Sequence, residues 1–182
     1  MDEYVDILDS KGEYTGQNAL KSEAHRHGWF HPTVHVWLYA ANGKVLLQQR
    51  GRHKQTHPLL WDVSVAGHVQ AGERVQAAAI REIREEIGLE VRESQLEKIG
   101  VFKSEFHHSD TLIDREFHHT FICRLPEPPY HLKKQANEVE SLEMIPLIRF
   151  AEEISGLANP GKYVPNKSSY YQAVIRAIKA KL

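Results

Sequence analysis

The stretch GHVQAGERVQAAAIREIREEIGL, residues 67–89, most constrains what this chain can become. Val75, Ala79, Ile83 and Ile87 recur every four residues, which lines one face of an amphipathic helix over 74–87 with that stripe inward. Gly88 follows, placed to end the helix in a left-handed conformation. Glu82, Glu85 and Glu86 lie three and four positions apart, so their carboxylates share one exposed side and repel. A solvated acidic face paired with Arg81 and Arg84 is one resolution. A divalent cation is the better one. Three hard oxygen donors within a turn suit Mg²⁺, which prefers octahedral oxygen coordination and keeps waters that a phosphate-bearing substrate can replace.

The remaining chain mixes strand and helix signals without a long linker, repeat or low-complexity tract. EYVDILD and SKGEYTG predict a short strand and a turn, the start of an N-terminal hairpin. PTVHVWLYA and KVLLQQR, joined by the Asn-Gly turn in ANGK, predict a second hairpin. LLWDVSV (ending at Ala66-Gly67), KIGVFKSEF, REFHHTFICRL and SLEMIPL are further strand candidates, and RFAEEISGL a short helix. PEPP at 126–129 breaks the chain. In SSYYQAVIRAIKAKL, Tyr171, Val174, Ile175 and Ile178 form a helical stripe expected to dock on the core. With 182 residues, one domain with a sizeable core is expected.

Charge and apolar content exclude several classes. The formal net charge of −1 gives no basic bias toward nucleic acid. No apolar run approaches the roughly 20 residues of a membrane span. MDEYVDILDS shows no secretion signal. The single Cys123 cannot form an internal disulfide. A cytoplasmic, reducing setting is the expectation.

The 67–89 stretch resembles the Nudix box, G-x5-E-x7-R-E-U-x-E-E-x-G-U, where U is bulky and apolar. Gly67, Glu73, Arg81, Glu82, Ile83, Glu85, Glu86, Gly88 and Leu89 fill every fixed position. The resemblance implies an α/β (α+β) Nudix fold, a mixed sheet sandwiched between helices. Residues 1–182 would form one Nudix domain, with 1–30 as an N-terminal hairpin extension and 168–182 as the C-terminal helix. By this resemblance Glu82, Glu85 and Glu86 bind the catalytic Mg²⁺ (Mn²⁺ as a substitute), with the Ala66 carbonyl as a further ligand. Glu73 and Arg81 would pair to hold the loop on the helix. Nudix hydrolases cleave a nucleoside diphosphate linked to another group, and a metal-activated water attacks phosphorus. The general base would be Glu85 or Glu86 of the box, or Glu138 from the later ANEVESLEMIPL segment. Dimers are common in the superfamily, so a homodimer is a further expectation.

The likeness extends to one branch. VDILDSKGEYTG, HRHGWFH, VLLQQRGRHKQTHPLLWDVSVAGHVQAGE and NEVESLEMIPL are similar to isopentenyl-diphosphate isomerase and its hydrolase look-alikes. That resemblance implies a second metal site built from His25, His31, His68, Asp114 and Glu116. The His25–His31 spacing is one residue shorter than the isomerase pattern. Imidazole and carboxylate together suit Mn²⁺, Zn²⁺ or Fe²⁺. Two departures count against isomerisation. Ala66 stands where the isomerase has a cysteine acting on carbon, and Ser104 lies near the place of a tyrosine it uses. The complete box also differs from the isomerase's degenerate one. Hydrolysis is therefore the expected activity, prenyl-diphosphate isomerisation the runner-up, and a non-catalytic nucleotide-sensing module a third reading. Arg50, Arg52 and Lys54 form a candidate diphosphate clamp. Trp29, Trp37 and Trp61 are candidates for stacking on a base, against the alternative of core packing.

Overall fold

β3 (His31–Tyr39) is buried along its whole length and organises the molecule. The computed structural model describes residues 2–128, 131–156 and 159–182; Pro129 of the expected chain break lies outside them. Alternation along β3 sends Val34, Val36 and Leu38 into one core and Trp37 and Tyr39 into another, as the two-residue period of a strand requires.

β3 runs parallel to β8 (Leu112–Arg124), pairing His31 with Glu116 and Thr33 with His118. β8 pairs antiparallel with β7 (Leu96–Ser109), placing Ser104 opposite Glu116 and Phe106 opposite Asp114. On its other side β3 meets β4 (Lys44–Arg50) only near the Asn-Gly turn, at Tyr39 and Val45. The two strands then splay. β6 (Val65–His68) fills the gap, with Ala66 beside His35 and His68 beside Thr33. Ser64 bridges the fork: its hydroxyl donates to the Leu46 carbonyl at 2.5 Å and accepts from the Leu38 amide at 2.8 Å. This is why LLWDVSV, expected as one strand, splits into β5 (Trp61–Asp62) and β6. β9 (Val139–Pro146) and β5 complete the sheet beside β4.

Helix α2 (Val75–Ile87) covers one face, burying Ala78, Ala79, Ile83 and Ile87 against Val34, Val36, Leu38 and Phe121. α3 (Leu147–Ile154) and α4 (Ser168–Lys179) cover the other, packing Phe150, Tyr170, Tyr171 and Val174 around Trp37, Leu47 and Ile145. Full burial of each such side chain contributes about 1.5–3 kcal/mol. The sheet thus lies between helices. The N-terminal hairpin, β1 (Tyr4–Leu8) and β2 (Tyr14–Leu20), forms a separate two-stranded sheet. It leads into α1 (Lys21–His27), a helix with only Ala24 buried and no apolar stripe to announce it. No described helix is long and apolar enough to cross a membrane.

Candidate functional site

The helix carboxylates are not on an exposed side. Glu82 and Glu86 are 9% and 4% exposed, and only Glu85 reaches solvent. The stripe at 79, 83 and 87 is broad enough to draw its neighbours 82 and 86 toward the sheet, which spacing alone underestimates. Glu82 lies directly against Gly67: a Cβ there would come within 2.0 Å of the Glu82 carboxyl carbon. Glycine at 67 is therefore a matter of close approach. Glu86 accepts from the Gln48 amide at 2.7 Å and from the Ala66 backbone amide at 3.4 Å. Burial pushes Glu86 up to about 8, against the Gln48 hydrogen bond. Burial likewise pushes Glu82 up to about 7, against the neighbouring Arg81.

Arg81 is the positive group beside this cluster. It donates to both Glu73 oxygens at 3.0 and 2.9 Å, to the His68 carbonyl at 3.0 Å and to Glu82 at 2.6 Å. It thereby ties the loop before α2 to the end of β6. Gly88 ends α2 with φ of 67°, a left-handed value that costs glycine nothing.

Beside β6 lies a cavity of about 340 Å³, lined among others by Ala66, His68, Glu116, Lys54, His57 and Phe106. The α2 carboxylates do not line it, but Ala66 and Gly67, against which Glu86 and Glu82 lie, do. His25 from α1, His31 from β3, His68 from β6 and Glu116 from β8 converge here, with donor atoms all within 4.8 Å of one another. The Nε2 atoms of His31 and His68 each stand 3.5 Å from one Glu116 oxygen, and that of His25 at 4.0 Å. All three Nε2 atoms are buried without a hydrogen-bond partner, as is one oxygen of Asp114, 3.7 Å from His25. The other Asp114 oxygen bonds His108 at 2.9 Å. His31 donates from Nδ1 to the Trp29 carbonyl at 2.9 Å, so its Nε2 presents a lone pair to the centre when the ring is neutral. Burial depresses His25, and His68 to about 4. Glu116 instead raises His31, against its burial. Three imidazoles with orphaned Nε2 atoms and one carboxylate are the donor set of a borderline divalent metal, and the residues present fit one.

The basic candidates separate. Lys54 lines the cavity and pairs with Glu138. Arg50 also lines it, but its guanidinium is engaged with Asp62 at 3.1 Å and with the Thr56 carbonyl at 2.9 and 3.1 Å. Arg52 lies outside the lining and pairs with Glu140. Trp37 is core, Trp61 is half-buried under Lys162, and Trp29 stacks on His27 at 4.7 Å. Sequence reasoning missed Gln48 and His118. Gln48 is buried where KVLLQQR turns polar, next to Gln49 and Arg50, so nothing in the local pattern singled it out. His118 lies two residues after Glu116 and so shares its face. It hydrogen-bonds Thr33 and Ser104, each at 2.7 Å.

Comparison with known proteins agrees with this architecture. The NUDIX domain family matches residues 29–174. The chain is 32% identical to an uncharacterised Nudix hydrolase of Clostridium acetobutylicum, over 97% of each. It is 34% identical to an isopentenyl-diphosphate Delta-isomerase of Nocardia farcinica, over 88% of each. It is also 34% identical to Nudix hydrolase 3 of Arabidopsis thaliana, over 85% of this chain but only 20% of the plant protein. A crystal structure from Deinococcus radiodurans superposes with a TM-score of 0.67 at 21% identity, covering 96% of this chain and 98% of that one. A fold built on the α2 box, with relatives of this identity along its whole length, places the chain in the Nudix hydrolase family.

Proposed function

We propose that the protein hydrolyses a phosphoanhydride bond of a nucleoside diphosphate or a nucleoside diphosphate conjugate. The observation that carries this is the packing of Glu82 and Glu86 against Ala66-Gly67, in a chain whose box is intact. Mg²⁺ bound there, with Mn²⁺ as a substitute, would neutralise the diphosphate and lower the pKa of an attacking water. Glu82, Glu85, Glu86 and the Ala66 carbonyl are the proposed ligands. Gln48 fixes the Glu86 carboxyl, and Arg81 fixes Glu82 and the loop carrying Glu73. Lys54 supplies positive charge at the cavity wall for the diphosphate. Glu85, Glu86 or Glu138 takes the proton of the attacking water. His25, His31, His68 and Glu116, with Asp114 beside them, would hold a second, borderline metal such as Mn²⁺.

That second group supports one competing reading, prenyl-diphosphate isomerisation, because its members are the ones the isomerase resemblance implies. Ala66 argues against it: alanine has no proton to exchange with carbon. A panel of nucleoside diphosphates and their conjugates, incubated with Mg²⁺ or Mn²⁺ and followed by ³¹P NMR, tests the assignment. Release of phosphate or a nucleoside monophosphate is expected. Turnover of isopentenyl diphosphate alone would replace it with isomerisation, and binding without turnover would favour nucleotide sensing.

A further inference from the structure

A second cavity, about 350 Å³ in volume, lies along the inner face of β7 against the start of α4. It is a neighbour of the metal-side cavity: Phe106, His118 and Asn166 line both. Its floor is largely aromatic, with Phe102, Phe106 and Tyr170, whose rings offer stacking surface. Its rim is polar, with Asn166, Lys167 and Ser169. Ser104 lines the second cavity and is bonded to His118, which lines both. It faces Glu116 across the β7–β8 ladder, so its side chain shares the cavity face with Glu116, His118 and Phe106. Ser104 is buried, and its hydroxyl is held by His118 at 2.7 Å. Position 104 thus places only a hydroxymethyl group beside the shared residues His118 and Phe106.

We infer that the two cavities are halves of one substrate site and that Ser104 sets the size of the passage between them. The diphosphate occupies the first half, beside Lys54 and the histidine group. The organic end, a nucleoside, enters the second half, its base against the aromatic floor and its polar edge toward Asn166 and Ser169. This inference rests on the diphosphate reading above and adds where the other end of the substrate goes. A lone cavity of this shape could simply be space between a strand and a helix. The shared wall argues otherwise: Phe106, His118 and Asn166 border both volumes, so a ligand anchored in one half lies beside the other.

The test uses Ser104→Tyr, which fills the junction, and Ser104→Ala, which removes the hydroxyl without filling it. Specificity is read as the ratio of kcat/KM for uridine or adenosine 5′-diphosphate to kcat/KM for methyl diphosphate. Ser104→Tyr should lower that ratio roughly 10- to 100-fold, the range a filled pocket imposes, and Ser104→Ala should hold it within about twofold. Binding is read separately from amide shifts on adding uridine or adenosine 5′-monophosphate. Residues 101–106 and 166–169 should respond in the wild type and fall silent in Ser104→Tyr. If no diphosphate is turned over but these amides respond, the hydrolase reading fails and the nucleoside subsite stands. If diphosphates are turned over while the amides stay silent, or if Ser104→Tyr leaves the ratio unchanged, the subsite is overturned. Equal losses of the ratio in both variants would overturn the size role, because the hydroxyl's bond to His118 would then be what matters.

Discussion

Lys54 pairs with Glu138, each reaching from its own loop, and the same ammonium sits close enough to Glu86 to favour its ionised form. One lysine thus stands between a carboxylate proposed as base, a carboxylate proposed as metal ligand, and the cavity proposed for the diphosphate. Lys54→Met is expected to raise KM about tenfold or more, because it removes charge used in binding. Glu138→Gln, if Glu138 is the base, should instead lower kcat by about 100-fold with little change in KM. Steady-state kinetics of the two variants separates the roles, and a kcat unaffected by Glu138→Gln leaves Glu85 or Glu86 as base.

Glu82→Gln and Glu86→Gln should each reduce kcat at least ~100-fold at saturating Mg²⁺, because each removes a charge that holds the ion. Both variants should fold. With burial holding these carboxyls near neutrality, glutamine is close in shape and charge to the protonated form. Circular dichroism together with turnover checks this, and near-normal kcat in either variant refutes the assigned site.

The same two groups predict how the metal-free protein responds to pH. Their folded pKa values, about 7 and 8, lie above the ordinary 4.5. The stability tied to their protonated forms is therefore fully present below about 4.5 and lost as pH rises through 7 to 8. Thermal melts in chelator should fall between pH 5 and pH 8. Added Mg²⁺ should restore stability most at the alkaline end, where the carboxylates are ionised. A melt in chelator that rises over that interval contradicts the prediction.

The histidine group should bind about one Mn²⁺ or Zn²⁺ apart from the Mg²⁺ on the helix, since imidazole–metal bonds of roughly 2 Å are within reach of donors this close. Anomalous scattering from soaked crystals should place that ion among His25, His31, His68 and Glu116. His68→Ala should abolish it. Density elsewhere, or none, would reduce these side chains to an unmetallated polar cluster.

Isopentenyl diphosphate incubated in D₂O with either metal should take up no deuterium. An isomerase must add a proton to one face of the alkene and remove one from the other, and Ala66 cannot serve. Deuterium in the prenyl chain at enzymatic rates would overturn the hydrolase assignment.

The inward stripes of α2 and α4 were legible because each follows a local period, the box because its spacing is fixed, and the sheet between helices only through the resemblance. The splay of β3 from β4 was not. It depends on Ser64 bonding across two strands that are distant in sequence, which no periodicity records. The burial of Glu82 and Glu86 was missed because a charge pattern reads as solvent-facing until the width of the apolar stripe beside it is weighed. Helix α1 went unread because Lys21–His27 carries one buried residue. Even so, His25 stood among the expected ligands, through resemblance alone.

The four-residue strand β6 gives the family's short glycine-histidine segment a particular vulnerability. Gly67 packs against Glu82 of α2, while the side chains of Ala66 and His68 alternate with it along the strand beside the cavity. Because strand side chains alternate, an insertion or deletion of a single residue between Ser64 and Val69 would exchange the two faces. A side chain would be driven into Glu82, and the imidazole would leave its three partners, in one event. The segment is therefore closed to any change in length, and at Gly67 to any side chain, for reasons of packing and of chemistry together.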